Sequence, residues 1–209
     1  MVEIIGSGKP VRLFAAGLHG DEWRDTSCIL EEIRDTGESK GEGKEKGRGK
    51  SPKTGTLALL TLVSKGEYIS TLDSHYYPGP GKILLEAIER LRPDIYIELH
   101  SYSKENFEKL AGKDRIRKIG VPAFSVLKEG VLIGSVSPHI RWKYFPKEAL
   151  CLSFEVEKGN PASKELVSRF VKLIGEMESR DEFIEYLKEE FPEQAKKAIE
   201  DYRHFYGEL

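Results

Sequence analysis

The sequence predicts an α/β protein, a mixed, mostly parallel twisted sheet with helices on both faces. Three observations predict it. Near-continuous apolar segments at 11–16, 56–63, 94–99 and 150–156 read as strands buried on both faces. Segments with helical spacing of apolar residues fall between and after them, as in 82–92. Polar, histidine- or glutamate-bearing positions recur where those strands end. In such sheets ligands bind beyond the carboxyl ends of the strands.

The elements follow in order. The strand 11–16 ends at Gly17, and a loop from 18 to 23 leads into a helix of about a dozen residues. Asp25 or Thr26 is expected to cap it, and Ile29, Leu30 and Ile33 form its apolar face. Residues 37–54 are rich in Gly, Lys and Glu and carry no aliphatic or aromatic side chain, which predicts a flexible, solvated loop. The strand 56–63 is followed by a polar and aromatic loop containing His75, Tyr76 and Tyr77. The helix 82–92 then leads to a strand at 94–99 that ends at His100. Short strands are expected near 123–127 and 130–136, and a late strand at 150–156. Residues 162–178 and 180–206 read as amphipathic helices broken at Pro192. The chain 1–209 is thus one domain with a helical extension at 180–209, which serves as a lid on the sheet or as the surface of a homodimer.

Composition excludes several classes of function. A formal net charge of −2 gives no global attraction to nucleic acid or to an anionic membrane. No apolar run reaches the roughly 20 residues that span a bilayer, and the first residues lack the pattern of a signal peptide. Cys28 and Cys151, the two cysteines, set no disulfide framework and no cysteine metal site. The expected location is the cytoplasm. A single glutamine, two asparagines and abundant Lys and Glu match the bias of proteins from hot-living organisms.

The chemistry centres on Gly17-Leu18-His19-Gly20-Asp21-Glu22. A catalytic zinc site takes three ligands from His and Asp or Glu and leaves a fourth position to water. His19 and Glu22 stand two residues apart in a glycine-containing loop, so both can turn toward one point. His100 at another strand end completes a two-His, one-Glu set. Each has a plainer reading: His19 as a loop histidine, His100 as a packing histidine, Glu22 as a helix cap. A separate carboxylate must move the proton of the attacking water. Glu155 and Glu157 share one strand face, and either could serve.

The run from Gly17 to Glu22 resembles the metal-binding signature of the succinylglutamate desuccinylase/aspartoacylase family, within the zinc-carboxypeptidase-like superfamily. Glu98-Leu99-His100-Ser101-Tyr102-Ser103 resembles the strand end that supplies that fold's third ligand, and Ser153-Phe154-Glu155-Val156 the strand with its catalytic glutamate. The resemblance implies a carboxypeptidase-like α/β fold and a zinc-dependent hydrolase of an amide bond in an N-acyl amino acid or small peptide-like substrate. That substrate carries an amide and a carboxylate. The alternatives are a carboxypeptidase-type peptidase and a non-catalytic metal- or ligand-binding module.

One departure limits the resemblance. The family carries an Asn-Arg pair between its first and third ligands, where this chain has Leu72-Asp73-Ser74-His75-Tyr76-Tyr77. Arg24, Lys65, His75 and Arg141 are the candidate stand-ins for the missing arginine. Tyr102, next to the third ligand, is a further candidate for contact with substrate.

Overall fold

The computed structural model describes residues 1–35 and 52–207. Of the expected flexible loop at 37–54, residues 37–51 lie outside that description. Seven strands form one sheet: β1 (Glu3–Ser7), β2 (Val11–Ala16), β3 (Gly55–Leu60), β4 (Ile95–Tyr102), β5 (Ser125–Val126), β6 (Leu132–Ser135) and β7 (Leu150–Glu157). Their spatial order is β1-β3-β2-β4-β7-β6-β5. The four central strands β3, β2, β4 and β7 run parallel. The pairings β1–β3, β6–β7 and β5–β6 are antiparallel. The expected mostly parallel sheet is therefore corrected to a parallel centre flanked by antiparallel edges. The edge strands are short and carry polar or glycine residues, so their apolar signal is weak.

Helices cover both faces. α1 (Trp23–Asp35) and α6 (Pro161–Glu176) lie together on one face, with Ile29 and Leu30 of the first and Leu166, Val167, Phe170 and Ile174 of the second in a shared core. α7 (Arg180–Glu190) and α8 (Pro192–Tyr206) extend that core through Phe183, Leu187, Phe191 and Ala195. The expected helical extension at 180–209 thus packs on the core of this face. On the opposite face, α2 (Lys82–Leu91) contributes Leu84, Ala87 and Ile88, and α5 (Pro138–Tyr144) contributes Ile140. Two short helices, α3 (Phe107–Ala111) and α4 (Arg115–Ile119), follow β4. They and α5 are absent from the sequence reading because each is seven residues or fewer, too short to show a helical period. Among the described residues no helix is long and apolar enough to cross a membrane.

Two boundaries differ from expectation, and both bear on the site. α1 begins at Trp23, so Asp25 and Thr26 lie within its first turn rather than capping it. Thr26 instead accepts a hydrogen bond from the Gly17 amide (3.1 Å) and donates to the Glu22 carbonyl (2.9 Å), pinning the loop that leaves β2. β4 continues to Tyr102, so His100 is a residue of the strand and not of the turn after it.

Packing around Phe170 sets the stability of the face that α1 and α6 cover. Its ring stacks on Phe154 (5.5 Å between centroids) and meets Phe183 and Phe191 edge-on. Removing a buried aromatic side chain costs about 3–5 kcal/mol. Phe170→Ala should lower unfolding free energy by that amount in a denaturant titration followed by circular dichroism, with the same slope against denaturant as the parent.

Candidate metal centre

Three strand ends place the polar residues. β2 delivers the loop with His19 and Glu22, the neighbouring β4 carries His100, and β7 sets Glu155 directly beside His100 in the parallel register. Gly17 makes the turn out of β2 possible. Its φ of +58° suits glycine, and a Cβ there would stand 2.9 Å from the Cβ of Trp23. His19, Glu22 and His100 are all buried, with one ligand atom from each lying within 4.8 Å of the others.

Glu22 is the hub. Its Oε1 accepts hydrogen bonds from the amides of Leu18 (3.0 Å) and His19 (3.2 Å). Oε1 also lies 3.3 Å from His100 Nδ1, and Oε2 lies 3.5 Å from His19 Nδ1. Each contact is close to the roughly 3.3–3.4 Å that separates two ligands bound about 2.0–2.1 Å from one ion, with a different carboxylate oxygen facing each imidazole. His19 Nδ1 is buried and makes no hydrogen bond. A buried nitrogen without a partner is costly, and an ion at the centre of the triad would supply one.

The protonation states suit the same role. Burial drives the His19 pKa down to about 4, so its imidazole is neutral and has a lone pair to give. Burial alone would raise Glu22, but His100 and His19 outweigh it and keep the carboxylate ionised. Burial likewise works against a charged His100, yet Glu22 and Glu98 together carry its pKa well above the ordinary value. His100 must therefore shed a proton for Nδ1 to bind an ion. Its Nε2 faces Glu98 Oε2 at 3.4 Å. A carboxylate behind the ring is the usual support of a metal-bound histidine.

Glu98 was missed in the sequence reading. It sits two residues before His100, so strand alternation alone puts both on the same face. It is fully buried and accepts the Tyr96 hydroxyl at 2.7 Å.

The triad opens into a cleft of about 550 Å³, which Glu155, Tyr102, Tyr68 and Arg115 also line. Glu155 is buried, and that burial raises its pKa to about 7. Glu157 lies outside the cleft lining and is held by Asn160 (2.7 Å) and Lys104 (3.4 Å), so of the two glutamates it is Glu155 that faces the cleft.

The cations Lys109, Lys158 and, on α4, Arg115 line this cleft. Arg115 Nε is buried without a hydrogen-bond partner, Nη1 donates to the Lys109 carbonyl, and the guanidinium covers the Phe124 ring. None of the expected stand-ins is in that place. Arg24 and Lys65 both sit over the Trp23 ring, away from the cleft lining. His75 is exposed and bound to Asp73 (2.9 Å). Arg141 is buried on α5, where carbonyls of Phe145, Pro146 and Lys147 take its Nη atoms and Tyr202 its Nε. It is a structural residue. Tyr102 does line the cleft, but its hydroxyl is already donated to the Gly130 carbonyl at 2.7 Å. Arg115 carries no sequence signal, because it lies in a charged segment, Lys113-Asp114-Arg115-Ile116-Arg117-Lys118, that reads as solvated surface.

The chain belongs to a family described as "Uncharacterized protein conserved in archaea (DUF2119)", which matches residues 7–207. A relative in Methanocaldococcus jannaschii, "Uncharacterized protein MJ0501", is 35% identical over 190 residues, covering 90% of this chain and 87% of its own length. No solved structure matches the chain.

Metal binding should follow the proton on His100. Uptake of one divalent ion per chain should release about one proton, and affinity should rise about ten-fold per pH unit below the His100 pKa. Isothermal titration in buffers of differing ionisation enthalpy measures this. Glu22→Gln should remove stoichiometric binding while leaving the far-ultraviolet spectrum unchanged.

Proposed function

We propose that this protein is a zinc-dependent hydrolase of an amide bond in an N-acyl amino acid or small peptide-like substrate, acting in the cytoplasm. The observation that carries the reading is the position of Glu155, a buried carboxyl group with a pKa near neutrality, set in register beside His100 at the mouth of the triad. A general base works best when its pKa lies near the working pH. The donor set of two imidazoles and one carboxylate, without a thiolate, fits zinc with one position left open. The motif order and the parallel centre of the sheet support kinship with the succinylglutamate desuccinylase/aspartoacylase family and its carboxypeptidase-like fold.

Zinc, when bound, polarises a carbonyl and makes water acidic near neutral pH. The chain's own residues do the rest. Glu155 takes a proton from the attacking water as the new C–O bond forms. It passes that proton to the amide nitrogen as the C–N bond breaks, so acid and amine leave in balance. Glu98 holds the His100 ring at Nε2, which keeps Nδ1 aimed at the triad. Arg115 receives the substrate carboxylate, which gives its buried Nε a partner and orients the amide across the cleft. This role needs no Asn-Arg pair after the first ligands, since the guanidinium comes from α4 instead.

A screen of N-acyl amino acids, dipeptides and simple esters against zinc-loaded protein tests the proposal. Glu155→Gln should retain zinc and lose about 10²–10⁴-fold in kcat. Arg115→Met should raise KM for carboxylate-bearing substrates far more than for their amides. If the zinc-loaded parent protein turns over nothing in the screen, the hydrolase reading fails and a binding module remains.

A further inference from the structure

Between the β5–β6–β7 edge of the sheet and the helices α7 and α8 lies an apolar recess of about 120 Å³. Ile133 and Leu152 form its floor on the sheet, Ile184 and Leu187 its wall on α7, and Ala198 and Ile199 its wall on α8. Five residues, Pro122, Ala123, Gly134, Ser135 and Tyr206, line both this recess and the metal cleft. The two spaces therefore adjoin along these residues. One of them, Gly134, has no side chain; a Cβ there would stand 2.8 Å from the Phe124 ring. Apolar cavities near this size stay dry and take up guests as large as a benzene ring.

The two spaces differ in chemistry. The cleft holds Arg115, Lys109 and Lys158 and suits the charged amino-acid half of a substrate. The recess is lined mainly by apolar side chains, with Arg180, Asp201 and Tyr202 among the polar exceptions. We infer that the recess receives the aliphatic acyl chain of the substrate, about four to six carbons long, while its carboxylate stays with Arg115. This inference rests on the amidohydrolase reading and names its substrate class as medium-chain N-acyl amino acids rather than acetyl ones.

Simple carboxylates probe the recess without turnover. Hexanoate should bind the zinc-loaded protein at least about ten-fold more tightly than acetate in isothermal titration, because it buries four additional methylenes. Ala198→Phe should fill the recess and shrink that gap below about three-fold while leaving acetate affinity unchanged. Ala198→Leu should give an intermediate gap, and it serves if the larger ring disturbs α8. Equal affinities in the parent protein, or a gap that both variants leave intact, would overturn the inference. The hydrolase reading is judged separately. Hydrolysis of N-acetyl amino acids with no hexanoate preference keeps the enzyme and removes the recess, whereas a hexanoate preference in a protein that hydrolyses nothing does the reverse.

Discussion

Glu22 is a carboxylate held almost entirely out of water, and the candidate site is arranged around that charge. Burying a lone carboxylate costs several kcal/mol even after the protein relaxes. Two backbone amides of its own loop and two imidazoles, His19 of that loop and His100 of β4, compensate it. The loop can fold back over the carboxylate only because Gly17 turns with a positive φ and Thr26 ties that turn to the start of α1. Register does the remainder. β4 lies between β2 and β7, so a histidine on β4 has the Glu22 loop on one side and Glu155 on the other.

Compensation by the protein alone is incomplete. Glu22, Glu98 and Glu155 are three buried carboxyl groups around His100, and His19 enters the same cluster uncharged with an unpartnered Nδ1. Without an ion the cluster adapts by protonation, with His100 held charged and Glu155 shifted up to about 7. A dication held by His19, Glu22 and His100 would change that balance: His19 would give it a lone pair, His100 would give up its proton and Glu155 would favour its ionised form. The residues the cluster strains most are the ones an ion would relieve. The same ionisation would give Glu155 the charge state that the proposed proton transfer requires.

Much of this was legible in the sequence, and what was illegible has definite causes. His19 and Glu22 could be paired because a glycine-bounded loop follows an apolar strand, and His100 and Glu155 because strand ends in a parallel sheet share one rim. Strand alternation also places Glu98, two residues from His100, on the same face. The edge strands β5 and β6 fall where short strands are expected, but β1 and the short helices could not be read, since five to seven residues carry too little periodicity to separate from a loop. Arg115 was hidden for that reason. One arginine among several charges in a short segment looks like surface, and only the fold shows its Nε turned inward. Arg141 failed in the opposite direction. It appeared free to bind a substrate, but backbone carbonyls at the end of α5 claim its guanidinium.

The central claim is that His19, Glu22 and His100 hold one zinc ion with an open position. X-ray absorption spectroscopy on protein loaded with one equivalent of zinc tests it most directly. The account predicts two imidazole nitrogens at about 2.0–2.1 Å, with carboxylate and water oxygen at about 2.0–2.2 Å completing a shell of four or five. His19→Ala and His100→Ala should each remove one imidazole from that shell. A sulfur ligand, a shell of oxygens alone, or a spectrum that both substitutions leave unchanged would contradict it.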